Sequence, residues 1–243
     1  MRIICQGDLI EYQDMINLEY ISKLWKNNPA KNAGNHPADA MQSFLKSQTP
    51  SPEQAIDECH YLAVDIETTG LSSNKDSILS IGFVPINRRC IDLSQAQHFY
   101  IETDASVGDS ATIHHIKDSD LKEKGQPIEI ALDALLEALS GKVLLVHYAK
   151  LDYTFLKKYT KQTYGTALEC PMIDTLAIEK NRQQRENPNQ VPKLRLDNCR
   201  QNYNLPRYSA HNALTDAIAT AELWIAQMSK LQEKGSLKLK NCK

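Results

Sequence analysis

The pattern of apolar and polar positions changes character near residue 60. Upstream, LIEYQDMINLEYISKLW repeats apolar residues at helical spacing and runs into a polar stretch, KNNPAKNAGNHPADA, so a helical arm and a linker are predicted. SPEQAIDEC follows, with Ser51 as an N-cap, Pro52 at the first helical position and Gln54 three residues after the cap. That capping-box arrangement predicts a short helix leading into the main domain. From residue 61, runs rich in β-branched and aromatic residues, YLAVDIE, ILSIGFVPI and AQHFYIE, alternate with turn formers such as Gly70, Asn74 and Asn87. They predict three consecutive strands, paired antiparallel.

The pattern then switches between helix and strand. IEIALDALLEALSG has helical spacing with Gly141 as its stop, and KVLLVH is a compact apolar strand of the buried kind. YTFLKKYTKQTYG reads as a helix, PMIDTLAIEK as a strand running into a helix, and LRLDNCRQNYNL and NALTDAIATAELWIAQMSKLQEK as two more helices. The order βββαβαβα gives an α/β domain whose mixed β-sheet is flanked by helices, compatible with an RNase H-like architecture behind an N-terminal helical extension. The expected division is 1–58 for the extension and linker, 59–232 for the domain and 233–243 for a basic C-terminal tail.

A chain of 243 residues holds one ordinary domain plus an appendage. No apolar run approaches the roughly 18 residues that span a bilayer, and the N-terminal MRIICQGDLIEYQD meets acid too soon for a secretory signal. No membrane partner and a cytoplasmic location are expected. The six cysteines form no C-x-x-C pair, so reduced, buried thiols are expected rather than a zinc knuckle or a disulfide framework. A net charge of −2 excludes proteins that coat nucleic acid through many phosphate contacts, so any nucleic-acid ligand is gripped over a short piece.

Candidate chemistry starts at VDIETTG. Asp65 and Glu67, two apart on a strand, leave the same face about 6 to 7 Å apart. A strand end that has reached water is the plain alternative. Thr68, Thr69 and Gly70 favour a tight turn whose N–H groups face an anion, and carboxylates for cations beside donors for an anion suit a phosphate ester held by metals. Asp152 follows the strand KVLLVH near a helix start, where it either reaches the sheet edge or stabilises the helix dipole. Asp216 lies in the first turns of the last helix among small apolar neighbours. Both belong to a frame, His-x-Ala-x-x-Asp, that occurs at HYAKLD (147–152) and HNALTD (211–216). Five residues of helix would turn His211 and Asp216 about 140° apart, so they meet one ligand only if His211 precedes the helix. Ser209 and Asn212, both cap-prone, place the helix start there.

These motifs resemble the DEDDh 3′→5′ exonucleases, the DnaQ-like family of the epsilon proofreading subunit of bacterial DNA polymerase III. Residues 65–70 look like its first motif, 147–152 its second and 211–216 its third, over about 60 to 229. The resemblance implies a two-metal phosphodiesterase in which Asp65, Glu67, Asp152 and Asp216 hold two divalent cations, Mg²⁺ or Mn²⁺, and His211 is the general base. Its partner would be a single-stranded nucleic-acid 3′ end, DNA preferred, shortened to nucleoside 5′-monophosphates. Thr68 and Thr69 would border the substrate, Leu71 would meet the terminal base or simply pack at the turn, and His147 would shape the site from a strand end or touch the substrate directly. The second motif departs from the family's H-N-A-x-F-D, with Tyr148 in place of Asn and Leu151 in place of Phe.

Asp174 reads better as an N-cap for the following helix than as a site residue. Basic residues outnumber acidic ones over 180–207 (Lys180, Arg182, Arg185, Lys193, Arg195, Arg200 and Arg207), and form either a solvated loop or a rim that steers the strand. Three other readings stay open: an RNA or oligoribonucleotide trimmer with the same chemistry, a non-catalytic binding module, and a polymerase-bound proofreading subunit. Residues 1–58 either pack on the domain or offer a site to a protein partner. The polymerase-associated type carries its binding tail after the nuclease domain, so a stand-alone or differently partnered enzyme is favoured.

Overall fold

The computed structural model describes residues 3–4, 37–104, 107–110, 116–208, 211–233 and 235–242; the helix expected in LIEYQDMINLEYISKLW lies outside them. Along the chain come β1 (Ile3–Ile4), α1 (Pro37–Lys46), β2 (His60–Thr68), β3 (Ile78–Asn87), β4 (Cys90–Asp92) and β5 (Gln97–Ile101). Then follow α2 (Asp118–Lys124), β6 (Gly125–Gln126), α3 (Ile128–Leu139), β7 (Val143–Val146), α4 (Ala149–Tyr164), β8 (Met172–Asp174), α5 (Thr175–Glu186), α6 (Leu196–Gln201) and α7 (Ala213–Gln232). The long strands β2 and β3 are antiparallel and central. On one side β7 and then β8 add in parallel to β2; on the other, β5 and β4 share the far edge of β3, both antiparallel to it. The mixed sheet and its flanking helices are those expected from the sequence.

Strand alternation sorts the core into two layers. Tyr61, Ala63, Val84 and Ile86 face α7, burying Leu214, Ile218, Ala221 and Trp224. Leu62, Val64, Ile66 and Phe83 face the other way, toward Leu132, Leu135 and Leu136 of α3, Phe155 and Leu156 of α4, and Met41 and Phe44 of α1. Asp65 and Glu67 continue the odd-numbered register of β2 and so belong to the α7 side.

Two sequence expectations are corrected. Residues 51–59 form turns, not a helix. Ser51 does accept the Glu53 N–H at 3.2 Å, but the path then leaves helical geometry as Ala55 bridges Lys238 and the Ile56 N–H donates to the Leu237 carbonyl at 2.9 Å. A long-range pairing outcompetes a good local cap. The helix lies instead at α1, in and beyond the stretch read as a linker, where Met41 and Phe44 three residues apart supply a buried stripe. The second correction concerns cysteine: Cys59, Cys170, Cys199 and Cys242 are free thiols, whereas Cys90 is disulfide-bonded. Among the described residues no helix is long and apolar enough to cross a membrane.

Candidate active site

The site forms where β2 outruns its parallel neighbour. Pairing with β7 ends at Ala63 and Leu145, and beyond that point the Ile66 backbone N–H helps to stabilise the charge of Asp152, in the first turn of α4. On the α7 side, Gly82 pairs with Asp65 across the antiparallel ladder. A Cβ at Gly82 would lie 2.2 Å from the Leu214 backbone nitrogen, so only glycine lets α7 begin directly on the sheet. That close approach brings Asp216 to the strand. Asp65, Glu67 and Asp216 offer oxygens all within 4.8 Å of one another. Asp152, only 2% exposed, is not part of that tight trio but acts on Asp65 and Glu67 through its charge.

Electrostatics makes the cluster costly without a cation. Burial, then the charges of Asp152, Asp216 and Glu67, hold the Asp65 carboxyl well above the usual range. Glu67 is pushed up to about 8 by burial and by Asp216 and Asp152. Burial likewise takes Asp152 to about 8, opposed by the backbone N–H groups of Ile66 and of Asp152 itself, and Asp216 to about 6, opposed by the His211 N–H. Among the described residues no lysine or arginine pairs with any of the four within 4.0 Å. No donor among the described residues reaches the buried Glu67 Oε1. An all-carboxylate set with an orphaned oxygen fits a hard divalent cation.

The two His-x-Ala-x-x-Asp frames build different junctions. His211 is exposed, stands before α7 as geometry requires, and has left-handed backbone with φ 70°. Its N–H donates to Asp216 Oδ2 at 2.8 Å, while Asn212 caps the helix by accepting the Thr215 N–H at 3.1 Å. In the other frame the left-handed residue is Tyr148, φ 87°, a conformation costing a side-chain-bearing residue about 1–2 kcal/mol. Tyr148 has no side chain able to cap α4. Asp174 does so from the end of β8, accepting the Tyr148 and Ala149 N–H groups at 3.0 Å each as well as the Leu176 N–H of its own helix at 3.0 Å. The expected cap of α5 is present; the cap of α4, across more than twenty residues of chain, had no local signal.

His147 is committed to the fold. Nε2 donates to the Leu194 carbonyl at 2.9 Å and Nδ1 accepts from Thr175 Oγ1 at 2.8 Å, a tautomer set by these partners, while burial holds the imidazole below its ordinary pKa. In the loop after β2, Thr68 donates to the Gly70 carbonyl at 2.7 Å, and the Thr69 N–H donates to the Ser77 carbonyl at 2.9 Å rather than facing an open anion site. A Cβ at Gly70 would run into the Asp76 carboxylate, which accepts the Ser72 N–H at 2.8 Å. The tip of this tied loop carries Leu71, 83% exposed.

Of the basic segment, Arg200 is buried and pairs with Glu222 at 2.7 Å, and Arg182 is tied to Glu179 and Glu186. Neither belongs to a rim. Lys180, Arg185, Lys193, Arg195 and Arg207 remain exposed. The Arg200–Glu222 pair, joined by the Tyr208 hydroxyl at 2.7 Å, was missed because its partners meet only in the tertiary structure.

A mixed sheet of this order, with three carboxylates closing on one strand and a fourth at the neighbouring helix start, defines a hydrolytic nuclease of RNase H-like fold. Residues 62–224 match the RNase_T exonuclease family model, and the chain belongs to that exonuclease family. It is 29% identical to the DNA polymerase III subunit epsilon of Treponema pallidum over 70% of this chain and 76% of that one. It is 31% identical to the PolC-type DNA polymerase III of Caldanaerobacter subterraneus over 73% of this chain, but spans only 12% of that polymerase's length. The fold also matches E. coli Exonuclease I, solved with a dT13 oligonucleotide, at a TM-score of 0.61 and 14% identity over 72% of this chain and 43% of the other.

Proposed function

We propose that the chain is a 3′→5′ exonuclease that hydrolyses the terminal phosphodiester of single-stranded or frayed DNA and releases nucleoside 5′-monophosphates. The observation that carries the reading is the buried set of four carboxylates, raised in pKa and with no lysine or arginine within 4.0 Å among the described residues, with an exposed histidine at its edge. Asp65, Glu67, Asp152 and Asp216 would hold two divalent cations, Mg²⁺ or Mn²⁺, which when bound stabilise charge on the attacking and leaving oxygens. His211 takes the proton of the attacking water; its backbone N–H to Asp216 fixes where the residue starts, while its side chain stays in solvent. Thr68 and Thr69 border the terminal nucleotide, and Leu71 meets its base. His147 supports this edge by docking the backbone at Leu194.

DNA is preferred over RNA because relatives named as DNA polymerase III components and neighbours solved with dT13 and dA16 point to it. The test is to incubate the chain with Mn²⁺ and end-labelled single-stranded DNA and RNA. Mononucleotides released stepwise from DNA 3′ ends are expected; release from RNA alone would reassign the substrate, and release from neither would end the catalytic reading.

A further inference from the structure

A single strand entering this site must be held upstream of its reacting end, and one stretch of surface outside the carboxylate cluster has the parts for it. Tyr148 is aromatic and 42% exposed, and its hydroxyl makes no hydrogen bond among the described residues. Its strained backbone is pinned through its N–H to Asp174, so the ring is presented by a fixed junction. Strain of this kind concentrates where a side chain is displayed for use.

Beside it, the backbone at 193–194 is fastened from two elements. Gln183 of α5 both accepts the Lys193 N–H at 3.0 Å and donates to the Lys193 carbonyl at 3.1 Å, and His147, the residue before Tyr148, donates to the Leu194 carbonyl at 2.9 Å. Lys193 and Arg195 on either side are exposed and have no carboxylate within 4.0 Å among the described residues, unlike Arg182 and Arg200. Two cations without a carboxylate partner among the described residues, on a backbone tied to the residue before an exposed ring, match a single strand's alternation of phosphates and bases.

We propose that Tyr148, Lys193 and Arg195 form a strand-holding lip, on which an upstream base stacks against Tyr148 and upstream phosphates lie on the two cations. The proposal rests on the nuclease reading above. It gives the departure of the second motif, tyrosine where the family has asparagine, a function of its own.

The experiment measures binding of a 5′-labelled dT strand of roughly ten nucleotides by fluorescence anisotropy in EDTA across a series of NaCl concentrations. Lys193→Gln and Arg195→Gln should each flatten the slope of log K against log salt by about 0.7. Tyr148→Ala should weaken binding by about 5- to 150-fold without changing that slope, and Tyr148→Phe should bind as wild type. Unchanged slopes in the Lys193→Gln, Arg195→Gln double variant, together with wild-type affinity in Tyr148→Ala, would overturn the lip. If the wild type then still releases mononucleotides with Mn²⁺, the nuclease reading survives that loss. The expected slopes in a chain that releases none would sustain the lip and sink the nuclease reading.

Discussion

The frame His-x-Ala-x-x-Asp opens two helices of this protein, and the two junctions separate what the frame fixes from what it leaves free. In α4 and α7 alike the alanine is the first helical residue and the aspartate the fourth, so Asp152 and Asp216 approach the cluster from equivalent positions. The histidines do not correspond. With the left-handed residue at 148, the chain carries His147 inward on the path of β7, where both ring nitrogens are used. With the left-handed residue at 211, the histidine is itself the turn and stays in solvent. The aspartate's place follows from the helix start; the histidine's chemistry follows from a one-residue shift in where the backbone turns.

If the aspartates are equivalent, Asp152→Asn and Asp216→Asn should each lower hydrolysis by about 10³-fold or more, several kcal/mol of charge stabilisation. Initial rates with Mn²⁺ check this, and a variant within tenfold of wild type breaks the equivalence.

The histidines should part in the opposite sense. His211→Ala should cut kcat by about 10²-fold or more with little change in melting temperature. His147→Ala should cost about 1–3 kcal/mol of stability, since it strands buried partners. Denaturant unfolding beside steady-state kinetics reads both, and a catalytic defect confined to His147→Ala would exchange the roles.

Proton linkage sharpens the comparison at the cluster. Glu67 and Asp152 at about 8 and Asp216 at about 6 all lie above their unfolded values near 4, so the metal-free native state keeps protons that the unfolded chain has released. Their contribution is therefore full below pH about 4 and is lost as pH rises to about 8. Divalent cations compete with those protons, so the rise in melting temperature with Mn²⁺ should be larger at pH 8 than at pH 6. A rise independent of pH would place the cation elsewhere.

The smallest effects come from the caps. Asp174→Ala should cost about 2 kcal/mol, because it frees N–H groups at two helix starts, and Asn212→Ala about 1 kcal/mol at one. Equal costs in thermal melts would mean that Tyr148 does not depend on its distant cap.

Much of this was legible in residue order, because strands, helices and the positions of the acids follow from periodicity and local caps. What stayed hidden depended on partners far along the chain. Ser51 carried a sound cap, yet Lys238 and Leu237 drew the backbone into turns. Arg200 looked like one more surface cation, but Glu222, Tyr208 and the Ala219 carbonyl give it a buried seat. Asp174 announced one cap and supplies two. Gly82 lies inside the apolar run ILSIGFVPI, and nothing local to it marks that α7 rests there.

That glycine has a consequence for cation choice. If Asp65 and Asp216 share a cation as proposed, then with Gly82 opposite Asp65 the gap between sheet and α7 also sets the bite between the two carboxylates. A methyl group at 82 would act as a shim, spreading the strand's oxygens from the helix's and favouring a larger ion over one that demands short, regular coordination. The gauge of the site is set by the residue in it that has no side chain.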